Sequence, residues 1–463
     1  MGYQPTDETD QKSVLHLIST PEEIVASYKL GYKKPDQVRI GMEVEKFGVH
    51  RSNYGPITNL ENNGMRKIQQ HMIDELGWEI HRQEDRYITA MHRGGTALTL
   101  EFNESASELS GRTHPSIHDL ARELRIHQHE LAEMSKLHDV VWMGIGYHPF
   151  HTADQTRFLN IDRFRISDEA LRRASPKMWK EHGTRHLSIQ ANIDYTSEDD
   201  ARRKFQLLLL LEPFICAMYA HSPLKEGKTT GYVSYRLHIL RKLDRRRYGI
   251  RKRFFDADFG FKDWVDFVMR IPMIAIAREG KWLPVKNMTF AQFLRSGYEG
   301  YAPLMEDWEL HSSFVYTDAR IKQYIELRTC DSLPPFLIPS MQAIVKAFVY
   351  HPDGERFIRE LTKGLGFREL LALLDDIPKR GMQAELKNKK LLDYCKEILE
   401  VASSYLREQA ILNEKGEDES VHLQPIKDFV FVKEKSPGRW VMDKWDGDWR
   451  QNPERLIEWC SFE

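Results

Sequence analysis

Four short segments of the chain alternate polar with apolar residues, the pattern of β-strands that have one polar face. They span residues 41–48, 98–111, 188–195 and 324–328. Because alternate residues of a strand lie on the same face of a sheet, each segment is expected to present its polar side chains together. The pairs expected to share a face are Glu43 with Glu45, Gln190 with Asn192, and Glu326 with Arg328.

The remaining apolar periodicity predicts further strands and several helices. Gly94 and Gly95 separate two strands and indicate a hairpin turn. The polar segment 196–200 is typical of a helix N-terminus. Strands are predicted at residues 38–50, 86–92, 96–102, 139–146, 185–195, 271–277 and 323–327. Helices are predicted at 115–137, from 200 to 221, over most of 354–409 and, as a short amphipathic helix, within 11–35; the aromatic-rich segments 256–267 and 308–314 are predicted to be connectors.

The order of these elements favours an α+β fold. The strands are separated by long helices and a hairpin, without the regular repeat of a doubly wound parallel sheet. The last 24 residues contain four of the ten tryptophans, and disordered tails are poor in aromatic residues. This tail is therefore predicted to pack on the body of the protein as a cap, with partner binding as the alternative.

Composition limits the class of protein. At 463 residues the chain exceeds the usual size of one hydrophobic core, and its net charge of −2 gives no general attraction to nucleic acid or to an anionic membrane. The four cysteines form no CxxC pair, which argues against a disulfide framework or a zinc site and favours a reducing compartment. The polar N-terminus is unlike a secretory leader, and no apolar run approaches the ~20 residues of a membrane helix. We therefore expect a cytoplasmic protein.

Carboxylates gathered on one sheet face require a compensating cation, because unpaired charges are costly to bury. Hard oxygen ligands without thiolates favour Mg²⁺ or Mn²⁺, and Mg²⁺ in such sites usually arrives with substrate phosphates. The chain has no Walker A loop, GxGxxG fingerprint, kinase signature or GxSxG elbow. A nucleotide would therefore be bound by the sheet together with metal ions.

Each acidic group also has a plainer interpretation. A lone Glu-x-Glu, such as Glu43 and Glu45, is most often a solvated strand face. Glu101, Glu104 and Glu108 would line one solvated stripe if they lay on a helix. The glycines on both sides of this segment make a complete helix unfavourable, so ligand or substrate contacts are preferred.

The basic groups have alternatives as well. Glu326 and Arg328 could form a cross-strand ion pair, or the arginine could bind phosphate, which its planar fork matches. Residues 241–253 contain eight basic residues, and we favour a loop at the edge of an anionic pocket over a nucleic-acid patch. Four histidines without zinc-ligand spacing are interpreted as core or surface residues: His186, His221, His238 and His311.

Several motifs occur in the order in which one enzyme family carries them. They include Gly41-Met-Glu-Val-Glu-Lys-Phe-Gly48, Met143-Gly-Ile-Gly-Tyr-His-Pro149, Gln190-Ala-Asn-Ile-Asp-Tyr195, Ser234-Tyr-Arg-Leu-His238, Asp307-Trp-Glu-Leu-His311 and Tyr324-Ile-Glu-Leu-Arg328. On these motifs the chain resembles the plant-type glutamate–cysteine ligases, which belong to the carboxylate–amine ligases. The resemblance implies a curved, mainly antiparallel sheet of the glutamine-synthetase type covered by helices, and a strand at the motif around Arg236. It implies a catalytic domain at 38–385, between an N-terminal helix and linker at 1–37 and a helical, Trp-rich cap at 386–463.

The resemblance also implies the reaction. ATP phosphorylates the side-chain carboxylate of glutamate, and the amine of cysteine attacks the acyl phosphate, as in the first step of glutathione synthesis. The implied cofactors are ATP and Mg²⁺, with Mn²⁺ as the alternative metal, in a monomer or homodimer that binds neither nucleic acid nor membrane. The implied metal ligands are Glu43, Glu45, Glu101, Glu108, Gln190 and Glu326. Arg328 and Lys322 are assigned to the nucleotide, Arg328 and Arg236 to catalysis, and Arg236, Arg247, Arg163 and Trp308 to substrate.

The departures from the family pattern lie mainly on the substrate side. The family's Glu-Pro-Gly-Gly-Gln is replaced by residues 101–105, Glu-Phe-Asn-Glu-Ser, and its Phe-Pro-Glu by Tyr-Thr-Asp at 316–318. Leu240 replaces a tryptophan and is expected to open space. Arg246 replaces an acidic residue and is expected to add positive charge, which would disfavour cationic amines. Two alternatives therefore stay open: a ligase with another amine acceptor, and a catalytically silent regulatory paralogue.

Overall fold

A computed structural model describes residues 16–463, in which a nine-stranded antiparallel sheet forms the centre of the protein. Its strands are Ile40–His50 (β1), Glu79–Glu84 (β2), Tyr87–Arg93 (β3), Thr96–Leu100 (β4), Ala106–Ser110 (β5), Val140–Met143 (β6), Ser188–Ile193 (β7), Ala319–Ile321 (β12) and Ile325–Asp331 (β13). Their spatial order is β12-β13-β7-β1-β5-β4-β3-β2, and β6 pairs with the C-terminal half of β1. Three hairpins lie outside the sheet: Leu224–Lys225 (β8) with Lys228–Thr229 (β9), Ala275–Arg278 (β10) with Lys281–Pro284 (β11), and Glu385–Leu386 (β14) with Lys389–Lys390 (β15).

Helices surround this sheet and complete the α+β fold that the sequence predicts. They are Pro21–Tyr28 (α1), Met65–Leu76 (α2), Ile117–His138 (α3), Asp162–Ala174 (α4), Trp179–Arg185 (α5), Glu198–Met218 (α6), Tyr235–Leu240 (α7), Phe261–Met269 (α8), Phe290–Ser296 (α9), Met305–Ser313 (α10), Ile338–Tyr350 (α11), Gly354–Leu361 (α12), Phe367–Arg380 (α13), Leu391–Gln409 (α14), Gln424–Lys427 (α15), Pro437–Asp446 (α16) and Pro453–Cys460 (α17). The part of the predicted N-terminal helix and linker that precedes residue 16 lies outside the described residues.

The sheet has one apolar face, which forms the centre of the hydrophobic core. Met42, Val44, Ala191 and Leu327 are fully buried there. Helices α3, α6 and α11 pack against the strands that carry them. Because strand residues alternate between faces, burial of these residues places the polar residues between them on the opposite face.

Local sequence signals set several of the predicted elements. Gly94 and Gly95 have φ of 53° and 87°, so the predicted hairpin between β3 and β4 is confirmed and uses the conformation that glycine adopts without strain. Ser197 caps α6, since its side chain accepts a hydrogen bond from the amide of Asp200 at 3.1 Å. The predicted long apolar helix is thereby confirmed.

Three predicted segments are wrong, and each is a helix. The expected connectors at 256–267 and 308–314 contain much of α8 and α10, and the expected arginine strand around Arg236 is α7. In α8 the buried residues Phe261, Trp264 and Val268 recur at helical spacing, so its aromatic residues form an apolar stripe. The side chain of Ser234 caps α7 by accepting a hydrogen bond from the amide of Leu237.

The Trp-rich tail packs on the sheet, as its aromatic content predicts. The backbone amide of Phe462 donates to the carbonyl of Trp142 in β6 at 2.9 Å, and the indole of Trp459 donates to His221 at 3.1 Å. Buried residues from the tail and from the N-terminal half belong to the same apolar cluster, so the division at residue 385 stays a prediction. Across residues 16–463, none of the helices has both the length and the apolar composition needed to span a bilayer.

Candidate active site

Strand pairing brings the predicted acidic residues onto one face of the sheet. Glu45 lies opposite Glu108 of β5, and Glu43 lies opposite Gln190 of β7. Glu326 of β13 lies opposite Asn192, on the other side of β7. Residues that are far apart in the sequence therefore lie side by side, because β7 is the strand between β1 and β13.

Glu45 is the best-satisfied carboxylate on the β1 side. It accepts hydrogen bonds from the amide of Ser188 at 2.7 Å, from the hydroxyl of Ser188 at 2.8 Å and from the side chain of Gln190 at 3.3 Å. Burial and the neighbouring Glu108 still raise the pKa of its carboxyl above the usual value. Negative charge therefore exceeds positive charge at this end of the face.

Glu43 and Glu108 are buried carboxylates that each have one unsatisfied oxygen. Glu43 Oε1 accepts from Asn192 at 3.0 Å and Glu108 Oε1 from Ser110 at 2.7 Å, whereas neither Oε2 atom has a hydrogen-bond partner among residues 16–463. Burial, together with repulsion by Glu108 and Glu326, raises the pKa of Glu43 to about 7. Burial also raises the pKa of Glu108, and the charge of Glu101 adds to the effect. Within residues 16–463 neither carboxylate forms an ion pair, and the more distant cations do not offset the effect of burial.

Glu326 has the opposite environment, because three basic side chains surround it. Its oxygens contact Arg320 Nε at 2.6 Å, Lys322 Nζ at 2.6 Å and Arg328 NH1 at 3.0 Å. The hydroxyl of Tyr324 donates to it at 3.1 Å. Burial alone would raise the pKa of Glu326, but the three cations hold it well below its usual value. The cross-strand ion pair expected as one interpretation is therefore formed, with Arg320 as the partner on the adjacent strand.

Arg328 connects the two ends of the polar face. Its guanidinium donates to Gln190 Oε1 at 2.7 Å and to Glu326 at 3.0 Å, and Gln190 in turn donates to Glu45. Although burial opposes it, the charges of Glu326 and Glu43 raise the pKa of Arg328 above its usual value. Arg328 therefore keeps a permanent positive charge beside the carboxylates.

A cleft opens next to this face. Five of the predicted site residues line it: Glu45, Glu101, Gln190, Arg236 and Arg328. Glu43, Glu108 and Glu326 are the adjacent residues of the same sheet face and are almost fully buried. One face of the sheet thus supplies part of the cleft wall, through Glu45, Gln190 and Arg328, and the charged residues behind that wall.

The assignment of six side chains as metal ligands stays a prediction. In the structure these side chains have different environments. Within residues 16–463, no three His, Cys, Asp or Glu side chains form a ready-made metal site. The unsatisfied oxygens of Glu43 and Glu108, beside Glu45, fit a cation that brings further ligands with it, as Mg²⁺ does with phosphates. Glu326 is already neutralised by basic side chains, and the side-chain oxygen of Gln190 accepts a hydrogen bond from Arg328. These two predicted ligands therefore already have partners within the protein.

Arg236 forms hydrogen bonds within the protein and also lines the cleft. It lies on α7 and donates to the backbone carbonyls of Thr329 at 2.8 Å and Arg328 at 3.2 Å. Its Nε is buried and has no hydrogen-bond partner in the part of the chain that the structure describes. One donor therefore remains for a substrate carboxylate.

Three residues assigned to substrate do not line the cleft. Trp308 is 2% exposed and packs in the core against Phe290. Arg163 lies on α4 with its guanidinium over the ring of Phe164, and burial lowers its pKa to about 10. Arg247 is buried and donates to the carbonyls of Phe314 and Pro272. Their assignments to substrate stay predictions.

The expectation that Arg246 adds positive charge to the acceptor pocket is wrong. Its guanidinium pairs with both oxygens of Asp244, at 2.9 and 3.0 Å, and it lines a separate groove. Arg253 is likewise paired, with Asp256, Asp258 and Asp263. Acidic neighbours therefore compensate part of the basic segment 241–253, while Tyr248 and Gly249 within it form an edge of the cleft, as predicted for a loop beside a pocket.

Several cleft residues were not predicted as site residues. Trp179 and His182 on α5, with His186, Tyr248 and Tyr316, form an aromatic wall. Burial lowers the pKa of His186 to about 3, so its imidazole is neutral. The interpretation of His186 as a core or surface residue missed its place in the cleft, because spacing alone does not show which histidines face a pocket. Arg320 could have been found, since it alternates with Lys322 on the strand before Glu326.

Comparison with known proteins identifies the family of the chain. A family model described as glutamate-cysteine ligase family 2 (GCS2) matches residues 39–458. The chloroplastic glutamate–cysteine ligase of Arabidopsis thaliana is 27% identical over 449 residues, which cover 95% of this chain and 82% of the relative. Glutamate–cysteine ligase A of Oryza sativa subsp. indica is 26% identical, over 95% of this chain and 87% of the relative.

A solved structure shares the fold. The glutamate–cysteine ligase of Francisella tularensis, determined in complex with AMP, superposes with a TM-score of 0.55 at 12% identity. The superposition covers 93% of this chain and 88% of that chain. The predicted fold class is therefore confirmed over nearly the whole molecule.

Proposed function

Because the chain belongs to glutamate-cysteine ligase family 2, we propose that it is an ATP-dependent ligase that joins the amine of L-cysteine to the γ-carboxylate of L-glutamate. The product is γ-glutamylcysteine, the first intermediate of glutathione synthesis. One observation carries this proposal. On one face of the sheet, the carboxylates with unsatisfied oxygens, Glu43 and Glu108, and the permanently charged Arg328 lie beside the cleft. Such a face can neutralise and orient a transferring phosphoryl group.

The residues divide the chemistry between them. Glu43, Glu45 and Glu108 would hold Mg²⁺, which on binding supplies charge neutralisation between phosphate oxygens. Arg328 stabilises the negative charge on the phosphoryl group as it moves from ATP to the glutamate carboxylate. The amine then forms the amide bond with the activated carbon, and phosphate leaves.

The substrate side is proposed from the cleft walls. The unpaired Nε of Arg236 suits the α-carboxylate of glutamate, since a carboxylate supplies the acceptor that this donor lacks. Leu240 and the aromatic wall provide an uncharged surface for the acceptor side chain, and thiol sulfur makes favourable contacts with aromatic rings. Because Arg246 is neutralised elsewhere, the cleft selects the acceptor by shape and polarity rather than by added positive charge.

We expect cysteine to be the preferred acceptor. ADP release, measured with ATP, Mg²⁺ and glutamate, should require an amine, and kcat/KM should be highest for cysteine, followed by 2-aminobutyrate and alanine, with simple alkylamines poorest. Alkylamines lack the carboxylate of the amino acid and so lose its contacts. An alkylamine or polyamine that exceeds cysteine tenfold, about 1.4 kcal/mol of transition-state preference, would show a different ligase. No ADP release with any amine would show a silent paralogue.

Leu240→Trp is expected to narrow the acceptor range. Leu240 lines the cleft, so the larger ring should lower kcat/KM for 2-aminobutyrate and larger amino acids by about tenfold, while alanine is affected less. Leu240→Met, which nearly conserves volume, is the matched control and should keep the wild-type ranking. An unchanged ranking in Leu240→Trp would place the acceptor elsewhere in the cleft.

The compartment and the oligomeric state are part of the same proposal. The four cysteines are unpaired and buried, which supports a reducing, cytoplasmic environment. A monomer or a homodimer is expected, and size-exclusion chromatography with light scattering distinguishes the two.

A further inference from the structure

The carboxylate of Glu326 is contacted differently at its two oxygens. Oε2 accepts from Arg320 at 2.6 Å and from Arg328 at 3.0 Å. Oε1 is contacted by Lys322 Nζ at 2.6 Å and by the hydroxyl of Tyr324 at 3.1 Å. One oxygen is therefore bound by two arginines, and the other by one lysine and a neutral hydroxyl.

The three cations differ in how firmly they are fixed. The Arg320 side chain is 1% exposed, and its NH1 also donates to the carbonyls of Ser313 at 2.8 Å and Val315 at 3.1 Å. Arg328 is tied to Gln190. The Lys322 side chain is 21% exposed, and within residues 16–463 its ammonium forms its ion pair with Glu326 and a hydrogen bond to the hydroxyl of Tyr324 at 3.0 Å. A flexible four-carbon stem lets an ammonium move where a guanidinium fork is locked.

Lys322 also acts on the carboxylates that lack a counter-charge. Its positive charge favours the ionised form of Glu43, whose Oε2 has no partner. Glu43 and Glu326 lie on either side of β7, joined through Asn192. The ammonium thus supplies positive charge where the divalent cation of the proposed reaction is required.

We propose that Lys322 is an exchangeable counter-ion, whose ammonium neutralises Glu326 and Glu43 until a divalent cation displaces it. The inference rests on the proposed function for the identity of that cation as the one that accompanies ATP. The exchange changes no covalent bond. The singly charged ammonium of Lys322 leaves the carboxylates, and a doubly charged metal ion takes its place. The released ammonium is then available to the phosphates of the nucleotide, which arrive with the metal.

The first test measures metal binding without nucleotide. Mn²⁺ titration followed by electron paramagnetic resonance should give a Kd at least about fivefold lower for Lys322→Met than for the wild type, because the competing charge is gone. Lys322→Arg keeps the charge and should not bind more tightly than wild type. Lys262→Met, at an exposed lysine paired with Asp266, is the matched control and should leave the Kd unchanged. Unchanged or weaker binding by Lys322→Met overturns the proposal.

The second test uses the unaltered protein and reports displacement itself. Brief acetylation followed by peptide mass spectrometry should modify Lys322 at least about threefold faster when Mg²⁺ is present, since its amine leaves the contact with Glu326 and becomes accessible to the reagent. Further addition of ATP should slow the modification again, and Lys262 should be unaffected throughout. A rate at Lys322 that does not increase with Mg²⁺ overturns the proposal.

Failure of this inference is distinguishable from failure of the proposed function. Both tests omit glutamate and cysteine, so they depend on the carboxylates and Lys322 alone. If the protein is an active ligase but Lys322 is not released by metal, the proposed function stands and the proposed exchange is wrong. If Lys322 is released but no product forms with any amine, the exchange stands and the proposed function is wrong.

Discussion

Glu326→Gln is expected to abolish most ligase activity and to lower the free energy of unfolding by about 3–5 kcal/mol. Glu326 is fully buried, and it neutralises Arg320, Lys322 and Arg328. The substitution leaves those cations buried without a counter-charge and releases Arg328 from the orientation that phosphoryl stabilisation requires. Loss of one preorganised electrostatic group typically lowers kcat by about 10²–10³-fold.

Urea unfolding and steady-state ADP release at saturating Mg²⁺ check this expectation. Glu355→Gln, at a partly exposed carboxylate paired with Arg359, is the matched control and should change stability by less than about 1 kcal/mol. Wild-type stability in Glu326→Gln would mean that the three cations are accommodated without it. Wild-type turnover would exclude Glu326 from both proposed roles, as a metal ligand and as the residue that positions Arg328.

Glu43→Gln is expected to have the opposite effect on stability while it also removes activity. The Glu43 carboxylate is buried beside Glu108 and Glu326, and one of its oxygens has no partner. A neutral amide removes that repulsion, so the metal-free variant should be more stable than the wild type by ~1–3 kcal/mol at pH 7.5. Turnover should fall about 10²–10³-fold, because the substitution removes a charge needed for the metal and phosphates.

The stability difference should depend on pH in a defined direction. The pKa of Glu43 is raised from 4.5 to about 7 in the folded protein. Below pH 4.5 the carboxyl is protonated in both the folded and the unfolded state, and Glu43→Gln should then gain nothing. As the pH rises from 4.5 to about 7, the wild type loses stability relative to the variant, because Glu43 is ionised in the unfolded state but still protonated in the folded state; above about pH 7 the difference levels off.

Thermal unfolding of both proteins between pH 4.5 and pH 8, with and without Mg²⁺, measures this effect. Mg²⁺ should raise the Tm of the wild type more than that of Glu43→Gln, since ligand binding to the folded state alone stabilises it. A variant that is less stable than the wild type at pH 7.5 without metal would show that Glu43 contributes a favourable contact. Equal responses to Mg²⁺ would remove Glu43 from the metal site.

Local patterns in the sequence were sufficient to predict much of the central sheet. Alternation fixes which side chains of a strand share a face, whatever the strand pairs with. The polar faces of β1, β7 and β13 were therefore predictable, as was the β3–β4 hairpin from Gly94 and Gly95. The serine cap and acidic first turn of α6 are likewise local signals. The helices α8 and α10 were missed because their aromatic residues also suit connectors, and α7 was missed because the family motif around Arg236 implied a strand.

The charge balance of the site was decided by the tertiary structure alone. The sequence does not show whether an acidic residue forms ion pairs with three cations, as Glu326 does, or forms no ion pair with the rest of residues 16–463, as is the case for Glu108. Which of these applies depends on strand order and on what packs above each side chain. For the same reason the sequence did not show that the charge of Arg246 is neutralised by Asp244, outside the cleft.

The sequence by itself thus determined the family, the strand faces and the kinds of groups available for chemistry, because these follow from residue identity and periodicity. The tertiary structure decided which carboxylates lack a counter-charge, which arginine is free to meet a substrate, and which histidines and aromatic residues line the cleft. Electrostatic energies depend on distance and burial, and neither is defined until the chain has folded.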